Sequence, residues 1–453
     1  MKKDNIAFYK DFFKIVLPIA LQNLLSTIVS ASDALMLGGL NQASLSAVSL
    51  ATQVQFVLSL FYAGLTIGAT ILAAQYWGKK NKAAVEKVLA IVLRYSMVVS
   101  ILFFAAALLF PDLLMRIFTN DAELILLGSS YLRIVSFSYL FMGITQIYLC
   151  IMKNSDRVTK STVYGTTAVV LNLILNAIFI FGLFGMPALG IQGAALATSI
   201  ARFTELVLVL LENTKKEQVR MRIKYLLHPD STLRKDFIHY TSPVMANELI
   251  WGCGFTMFSV ILGHMGSDAV AANSIANIVK NIIACACLGI AAGSSIIIGN
   301  ELGKGDLDKA KQHGDQLCHL TILTGVISGI IILFCSPLVL KFAGTLTDQA
   351  STYLQYMLYI CAYYIIGKAV NSTVIAGIFC AGGDTKFGLK CDLVTMWFII
   401  VPLGLIAAFV LDLPVIVVYF LLNLDEMIKL PAVYRHYKKY NWVNNLTRKD
   451  EEL

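Results

Sequence analysis

Charged side chains are scarce in this chain. Only 14% of the 453 residues are charged, whereas 57% are hydrophobic, and the mean hydropathy is +0.73. In soluble domains about a quarter of the residues are charged. The composition therefore excludes a soluble globular protein and predicts a membrane protein.

Motifs typical of enzymes and of metal or nucleotide sites are also missing. The sequence has no HExxH, no GxSxG and no CxxC, and its nine cysteines lie mostly within apolar runs. The segment GNELGKG at 299–305 has one residue too few between its glycines to be a phosphate-binding loop. We therefore expect no enzymatic activity, no bound metal and no cofactor, so that energy must come from an ion gradient or a partner protein.

Long apolar runs make up most of the chain. A helix needs about 20 residues to cross a hydrocarbon core of ~30 Å. Twelve runs are long enough, namely 12–38, 45–76, 86–110, 124–152, 158–184, 188–212, 233–263, 268–300, 310–336, 349–380, 387–411 and 413–437. The first is too long for a signal peptide and lacks a small-residue cleavage site, so we expect it to stay as a span. The predicted fold class is an all-α membrane protein with twelve transmembrane helices.

Basic residues concentrate in alternate loops. The basic loops are those around Lys79, Lys153, Lys304 and Lys386, together with the 213–235 connection. The other loops carry only Arg116 and Lys341. By the positive-inside rule, we expect both termini and the 213–235 connection to be cytoplasmic. The expected location is the plasma membrane, as a multi-pass protein. The net charge of +8 then faces anionic lipid, and we expect no nucleic-acid partner.

The two halves of the chain are similar. The segment from Pro18 to about Lys87 recurs from Pro243 onward at a constant offset, which places Gly38 on Gly263. Six spans per half give both halves the same orientation, so a pseudo-twofold axis should run along the membrane normal. The predicted organisation is an N-terminal six-helix lobe, a cytoplasmic linker, and a C-terminal lobe with a cytoplasmic tail, at 1–212, 213–235 and 236–453.

Few polar residues lie inside the predicted spans of the first half. Asp33 is in the first span, Asn172 and Asn176 share one face of the fifth, and Thr198 is in the sixth. One carboxylate with neutral amide and hydroxyl oxygens suits a monovalent cation or a titrating proton. For the two asparagines and the threonine, hydrogen bonding between helices is an equal alternative. For Asp33 we favour function, because a lone buried carboxylate needs a partner and the outer half of this lobe supplies no cation.

The second half carries a different set of ionisable residues. Glu248, Lys280 and Lys368 lie near the middle of the seventh, eighth and tenth spans. A carboxylate with one or two ammonium groups can relay protons, detect substrate charge or form a buried ion pair that fixes packing. The sequence leaves these three interpretations open.

Several short motifs follow one another in a specific order. QYWGKKN at 75–81 and NELGKGD at 300–306 close the second helix of each half. The others are LP at 17–18, DALMLGGL at 33–40, GIQGAALAT at 190–198 and AGGDTKFG at 381–388. With these motifs the chain resembles the multidrug and toxic compound extrusion (MATE) transporters over about residues 10–440.

The resemblance implies a cation-coupled antiporter that exports small organic, often cationic, compounds by rocking two lobes about a cleft. In one branch of the family, the cation site uses an aspartate in the first helix, an asparagine and an aspartate in the fifth, and a threonine in the sixth. Asp33, Asn172 and Thr198 match, whereas Asn176 replaces the second aspartate. Other members use a glutamate in the seventh helix, and Glu248 lies there about one turn earlier. The coupling ion, H⁺ or Na⁺, stays open, and we expect a monomer in the lipid bilayer.

Two other functions are compatible with the same architecture. A lipid-linked oligosaccharide flippase of the same superfamily would line its cleft with several basic residues, for which the candidates are Lys280, Lys368 and Arg133. The other possibility is an accessory membrane protein without transport of its own. The charge lining the cleft would separate the first two functions.

Overall fold

The computed structural model describes residues 2–343 and 346–449, and within these ranges the chain contains helices and no strand. The predicted all-α fold class is confirmed. The helices of the first half are α1 (Lys2–Gly38), α2 (Gln42–Gly78), α3 (Lys82–Leu109), α4 (Pro111–Arg116), α5 (Ala122–Asn154), α6 (Val158–Phe181) and α7 (Gly190–Asn213). A 3₁₀ turn, Leu183–Gly185, lies between α6 and α7.

The helices of the second half follow the same order. They are α8 (Ile223–Leu227), α9 (Ser231–Gly263), α10 (Ser267–Lys304), α11 (Leu307–Phe342), α12 (Asp348–Asn371), α13 (Thr385–Asp392), α14 (Val401–Phe409), α15 (Val415–Leu422) and α16 (Asp425–Tyr437). Two π-helical stretches, Ser372–Phe379 and Leu393–Ile400, continue α12 and α13.

Side chains with short polar groups explain where several helices begin. The Asn41 carboxamide accepts a hydrogen bond from the Ser44 backbone N–H at the start of α2, over 2.7 Å. Asn81 caps α3 in the same way, and its equivalent in the second half, Asp306, caps α11. Such caps satisfy N–H groups that have no partner within the helix. The duplication therefore extends to the loop geometry.

Eleven helical segments of the described chain are long and apolar enough to cross a membrane. The segment predicted as the twelfth span, 413–437, instead forms two short helices, α15 and α16, with Asn423 and Leu424 between them. The Asn423 side-chain amide donates to the Tyr419 carbonyl oxygen over 2.8 Å, which satisfies one of the last carbonyls of α15. The break puts the acidic residues Asp425 and Glu426 in the first turn of α16, where the helix dipole favours them.

Contacts divide the chain into two compact units. The amino-terminal unit comprises Gln22–Thr241 and Arg448–Leu453, and the carboxy-terminal unit comprises Met1–Leu21 and Ser242–Thr447. This grouping differs from the lobes 1–212 and 236–453 and the linker 213–235, which stay a prediction. The linker segment lies within the amino-terminal unit, where its Asp230 pairs with Lys87 of α3 at 3.2 Å.

The first helix of each half is divided between the two units, and each packs on a glycine of the unit that holds its first part. A Cβ atom at Gly293 of α10 would lie 2.4 Å from Val16 of α1, within the carboxy-terminal unit. A Cβ atom at Gly68 of α2 would lie 2.1 Å from Thr241 of α9, within the amino-terminal unit. Gly68 and Gly293 are equivalent positions of the repeat, as are Val16 and Thr241, so the same packing is used twice.

Candidate functional site

Three helices of the amino-terminal unit bring the four predicted residues of the first half together. The Asn176 side-chain amide of α6 donates to Asp33 Oδ1 of α1 over 2.7 Å and to Asn172 Oδ1 over 3.4 Å. Asn172 in turn donates to Thr198 Oγ1 of α7 over 3.2 Å. Asp33, Asn172, Asn176 and Thr198 therefore form one continuous hydrogen-bonded chain.

A close approach of α6 and α7 makes this series of hydrogen bonds possible. A Cβ atom at Gly193 would lie 2.6 Å from the Phe179 carbonyl oxygen, so only glycine fits there without movement. Gly182, with φ of +72°, ends α6 in the left-handed region that glycine adopts freely. The Leu189 backbone N–H then returns to the Phe179 carbonyl over 2.8 Å. The turn after α6 thereby holds α7 against it.

The four side chains lie in the wall of a cavity of ≈ 420 Å³ within the amino-terminal unit. Ser30, Thr52, Gln55 and Tyr131 add further polar groups to this wall. The volume is in the range of small-molecule sites, about 300–1,000 Å³. The cavity therefore has room for a small organic molecule beside the Asp33 carboxylate.

The side-chain oxygen of Asn176 is a hydrogen-bond acceptor that is not used. Its side chain is 1% exposed, and its Oδ1 atom has no hydrogen-bond partner among the described residues. A buried carbonyl oxygen without a partner costs about 1–3 kcal/mol. Among the described residues the protein itself leaves this oxygen unsatisfied. Carboxylate, amide and hydroxyl oxygens together are the ligands that hard cations prefer.

Arg202 of α7 lies in the same cavity wall, and its charge is already balanced. Its guanidinium pairs with Glu205 at 3.1 Å, as residues three apart on one helix face can do. The Thr145 hydroxyl of α5 also donates to Glu205, over 2.9 Å. Arg202 is therefore held at Glu205, and no ion pair forms between it and Asp33 within the described chain.

The structure does not join the three predicted residues of the second half. Lys368 of α12 pairs with Glu426 of α16 at 3.3 Å and lies 4.9 Å from the Trp251 ring centroid. Lys280 of α10 lies 4.8 Å from the Tyr364 ring centroid. Among the residues that the structure covers, Glu248 of α9 makes no hydrogen bond or ion pair, although Lys368 and Asp392 are near enough to act on its charge. An ion pair exists, but it joins Lys368 to Glu426, which is not among the three predicted residues.

A buried ionic cluster in the carboxy-terminal unit was missed from the sequence. Lys429 is 2% exposed and lies 2.7 Å from Asp392, 3.6 Å from Asp425 and 3.7 Å from Glu426. The prediction of 413–437 as one apolar span conceals these charges. The signal was present, because Asp425, Glu426 and Lys429 have the spacing of ion pairs on one helix face.

Hydrogen bonds from Asn371 and a second ammonium group extend the cluster. Asn371 donates to Glu426 Oε2 over 2.8 Å and to the Glu426 carbonyl oxygen over 2.7 Å. Lys368 and Lys429 supply two ammonium groups against the three carboxylates. Buried charges that are paired and hydrogen-bonded in this way hold helices in a fixed arrangement. Here they fasten α12 and α13 to α16.

Comparison with known proteins agrees with this architecture. The MatE family model matches residues 18–178 and 243–406, one match in each half. The chain is 27% identical to the probable multidrug resistance protein NorM of Thermotoga maritima over 88% of this chain and 85% of that protein. It is 23% identical to the uncharacterized transporter YisQ of Bacillus subtilis over 95% of this chain and 94% of that protein.

The fold also matches solved structures. One is an outward-facing multidrug resistance MATE family transporter of the MOP superfamily, with a TM-score of 0.87, 17% sequence identity and 95% of each chain covered. At this identity the likeness concerns the fold alone. Since the family model covers most of the chain and recurs in both halves, the chain belongs to the MatE family of multidrug and toxic compound extrusion transporters.

Proposed function

We propose that this protein exports small organic compounds, often cationic, in exchange for H⁺ or Na⁺. Asp33, Asn172, Asn176 and Thr198 form the coupling site in this proposal. Transport proceeds by alternating access, with both termini on the cytoplasmic side. No cofactor is involved beyond the coupling ion.

The observation that carries the proposal is a carboxylate inside a roomy cavity. Asp33 lies in the wall of the ≈ 420 Å³ cavity, and its Oδ1 atom accepts a hydrogen bond from Asn176. A charge within a membrane-spanning helix is costly and is retained where it is used. No ammonium or guanidinium group pairs with Asp33 among the described residues, so a mobile cation can balance its charge.

The coupling ion and the organic compound would be exchanged because both bind at the same site. The coupling ion and a cationic compound would both be attracted to the Asp33 carboxylate, and the cavity has room for either. If binding of one disfavours the other, each displaces the other as the protein changes state. The names of relatives such as the probable multidrug resistance protein NorM support drug-like compounds as the substrate class.

The charges of the carboxy-terminal unit favour this proposal over a lipid-linked oligosaccharide flippase. A diphosphate would need several free basic groups. Lys368, one of the three candidates, is paired with Glu426 at 3.3 Å, which leaves only Lys280 and Arg133. Antiport needs no such basic surface.

The test is Asp33→Asn in reconstituted vesicles with an imposed H⁺ or Na⁺ gradient. We expect gradient-driven efflux of a fluorescent organic cation to fall to the level of empty vesicles, because the substitution removes the charge that the ion and the compound share. Expression and thermal stability should stay near wild type, since asparagine has nearly the same shape. The exposed Asp112→Asn is the matched control and should transport normally. Wild-type efflux by Asp33→Asn would disprove the assignment.

A further inference from the structure

The constant offset between the repeats relates the two halves of the structure helix by helix. Helices α1 and α9 end at Gly38 and Gly263, and α2 and α10 begin at Gln42 and Ser267. Helices α7 and α15 begin at Gly190 and Val415, again at the same offset. A residue in one half can therefore be assigned an equivalent in the other by number alone along these helices.

The carboxy-terminal unit has a small cavity of ≈ 20 Å³ between α9, α10 and α15. Every residue that lines it except Leu422 is the equivalent, at this offset, of a residue that lines the large cavity beside Asp33. Phe258 is equivalent to Asp33, and Asn423 is equivalent to Thr198. The small cavity is therefore the second copy of the candidate coupling site.

The charge of the site is reversed in the second copy. Phe258 replaces the carboxylate of Asp33, and Lys280 replaces the neutral Gln55. Asn273 adds an amide where the first half has an apolar valine. The first copy thus has a negative group in a polar wall, whereas the second has a positive group with added hydrogen-bond donors.

Lys280 is the basic residue of the second cavity. Its Nζ atom lies over the Tyr364 ring, and within the described chain it makes no hydrogen bond and no ion pair. Two carboxylates are near enough to act on its charge, Asp425 and Glu426, and both pair with Lys429, at 3.6 Å and 3.7 Å. A ring face offsets only part of the cost of holding an ammonium group away from water.

The neighbouring amides complete a set of donors. Asn277 donates its amide to Asn273 Oδ1 over 3.2 Å, so the Asn273 oxygen is occupied and its amide nitrogen is the group left to donate. Both line the cavity together with Lys280. An ammonium group with amide N–H groups is the arrangement that binds anions. The cavity volume of ≈ 20 Å³ exceeds the ~10–15 Å³ that one water molecule needs.

We propose that this second copy of the site binds a small monovalent anionic group, either a halide ion or a single carboxylate, on Lys280 and Asn273. Because the two equivalent cavities carry opposite charges, they bind ligands of opposite charge. The amino-terminal unit binds a cation at Asp33, and the carboxy-terminal unit binds an anion. Binding of the anion does not depend on the proposed transport activity.

The test measures thermal unfolding of the purified full-length protein against chloride and formate at constant ionic strength, with gluconate, which is too large for the cavity, as the balancing anion. Chloride and formate should raise the unfolding temperature of the wild type in a saturable way. Lys280→Gln should raise the concentration for half-maximal stabilisation about tenfold or more, as expected for loss of a charged hydrogen-bond partner. Lys304→Gln, on the same helix at its exposed end, is the matched control and should respond like the wild type.

A second variant covers the case in which Lys280→Gln does not fold. Asn273→Asp keeps the size of the side chain and puts a carboxylate beside Lys280, so it should also abolish the response to chloride and formate. Saturation that is unchanged in either folded variant would overturn the proposal. The proposal would also be overturned if Lys280→Gln were less stable than the wild type while the wild type showed no response to anions. Lys280 would then only balance the charge of Asp425 and Glu426.

Vesicle experiments distinguish the two sources of the anionic group, and this arm rests on the proposed function. If the group belongs to a transported compound, Lys280→Gln should reduce efflux of a carboxylate-bearing compound and spare its amide. If it is a free halide, removing chloride should slow efflux of both compounds in the wild type and change neither in Lys280→Gln. If the protein does not transport the compound, wild-type vesicles show no efflux. If the anion site does not exist, the unfolding titration shows no saturable stabilisation.

Discussion

Lys429 shows that one buried side chain can form ion pairs with several others in the interior of a membrane protein. It forms ion pairs with three carboxylates on two helices, those of Asp392, Asp425 and Glu426. Its side chain is 2% exposed, so water cannot replace it. Removing one partner from a buried ionic network leaves the others uncompensated, which costs far more than breaking an ion pair at the surface.

We therefore predict that Lys429→Met destabilises the protein by about 3–5 kcal/mol, the range for loss of one partner from a buried pair. The measurement is thermal or chemical unfolding of the purified protein in detergent. Lys309→Met is the control, because Lys309 and its partner Asp306 are both exposed. Its unfolding should match the wild type within error. Equal effects of the two substitutions would show that the cluster does not stabilise the fold.

At the scale of helices, the distance between α6 and α7 decides whether the candidate coupling site exists. The two helices contribute Asn172, Asn176 and Thr198, and they approach most closely where Gly193 faces the Phe179 backbone. Backbone atoms cannot rotate out of the way as a long side chain can. A methyl group at this glycine must therefore move a whole helix.

We predict that Gly193→Ala moves α6 and α7 apart and lengthens the 3.2 Å hydrogen bond between Asn172 and Thr198. Gradient-driven efflux should be strongly reduced, and unfolding should become easier by about 1–3 kcal/mol, as for other overpacked contacts. Gly38→Ala is the control, since its Cβ atom would meet Leu45 at an ordinary 3.5 Å. If efflux by Gly193→Ala equals that of Gly38→Ala, the site does not depend on this contact.

At the scale of the whole molecule, the duplication sets both the packing and the proposed motion. Contacts group the first part of α1 with the second half of the chain and the first part of α9 with the first half. The equivalent glycines Gly68 and Gly293 each receive one of these helices. Transporters built from repeats commonly move one repeat against the other around a fixed site.

We predict that cysteines placed at Gly38 and Gly263 crosslink only in the inward-facing state and block transport when oxidised. Both positions tolerate a side chain, because a Cβ atom at Gly263 meets nothing within 4 Å and one at Gly38 meets only Leu45. The nine native cysteines must first be replaced. Transport and crosslinking yield are then measured on the same vesicles before and after reduction.

The outcome chooses between two mechanisms. Recovery of transport on reduction would support rocking of the lobes. Undiminished transport with a complete crosslink would rule it out and favour a movement confined to one lobe. Bending of α1 at Pro18, which lies inside that helix, is then the alternative.

The sequence by itself determined the features that depend on composition and spacing along the chain. Apolar runs predicted the helices, because crossing hydrocarbon requires about 20 apolar residues whatever the neighbours are. The constant offset between similar segments predicted the duplication, which recurs in the helix ends and in the capping side chains. Polar residues within the spans drew attention to Asp33, Asn172, Asn176 and Thr198, which the fold brings into one hydrogen-bonded chain.

Only the tertiary structure decided which charged groups of different helices meet. Hydropathy reports that Lys368 is placed in an apolar span, but it carries no information on the direction of the side chain. The partner of Lys368 proved to be Glu426, on a helix that exists because 413–437 breaks at Asn423. The charge-reversed cavity around Lys280 likewise required the positions of three helices in space. Pairing and cavities arise between helices far apart in the chain, where no local pattern constrains them.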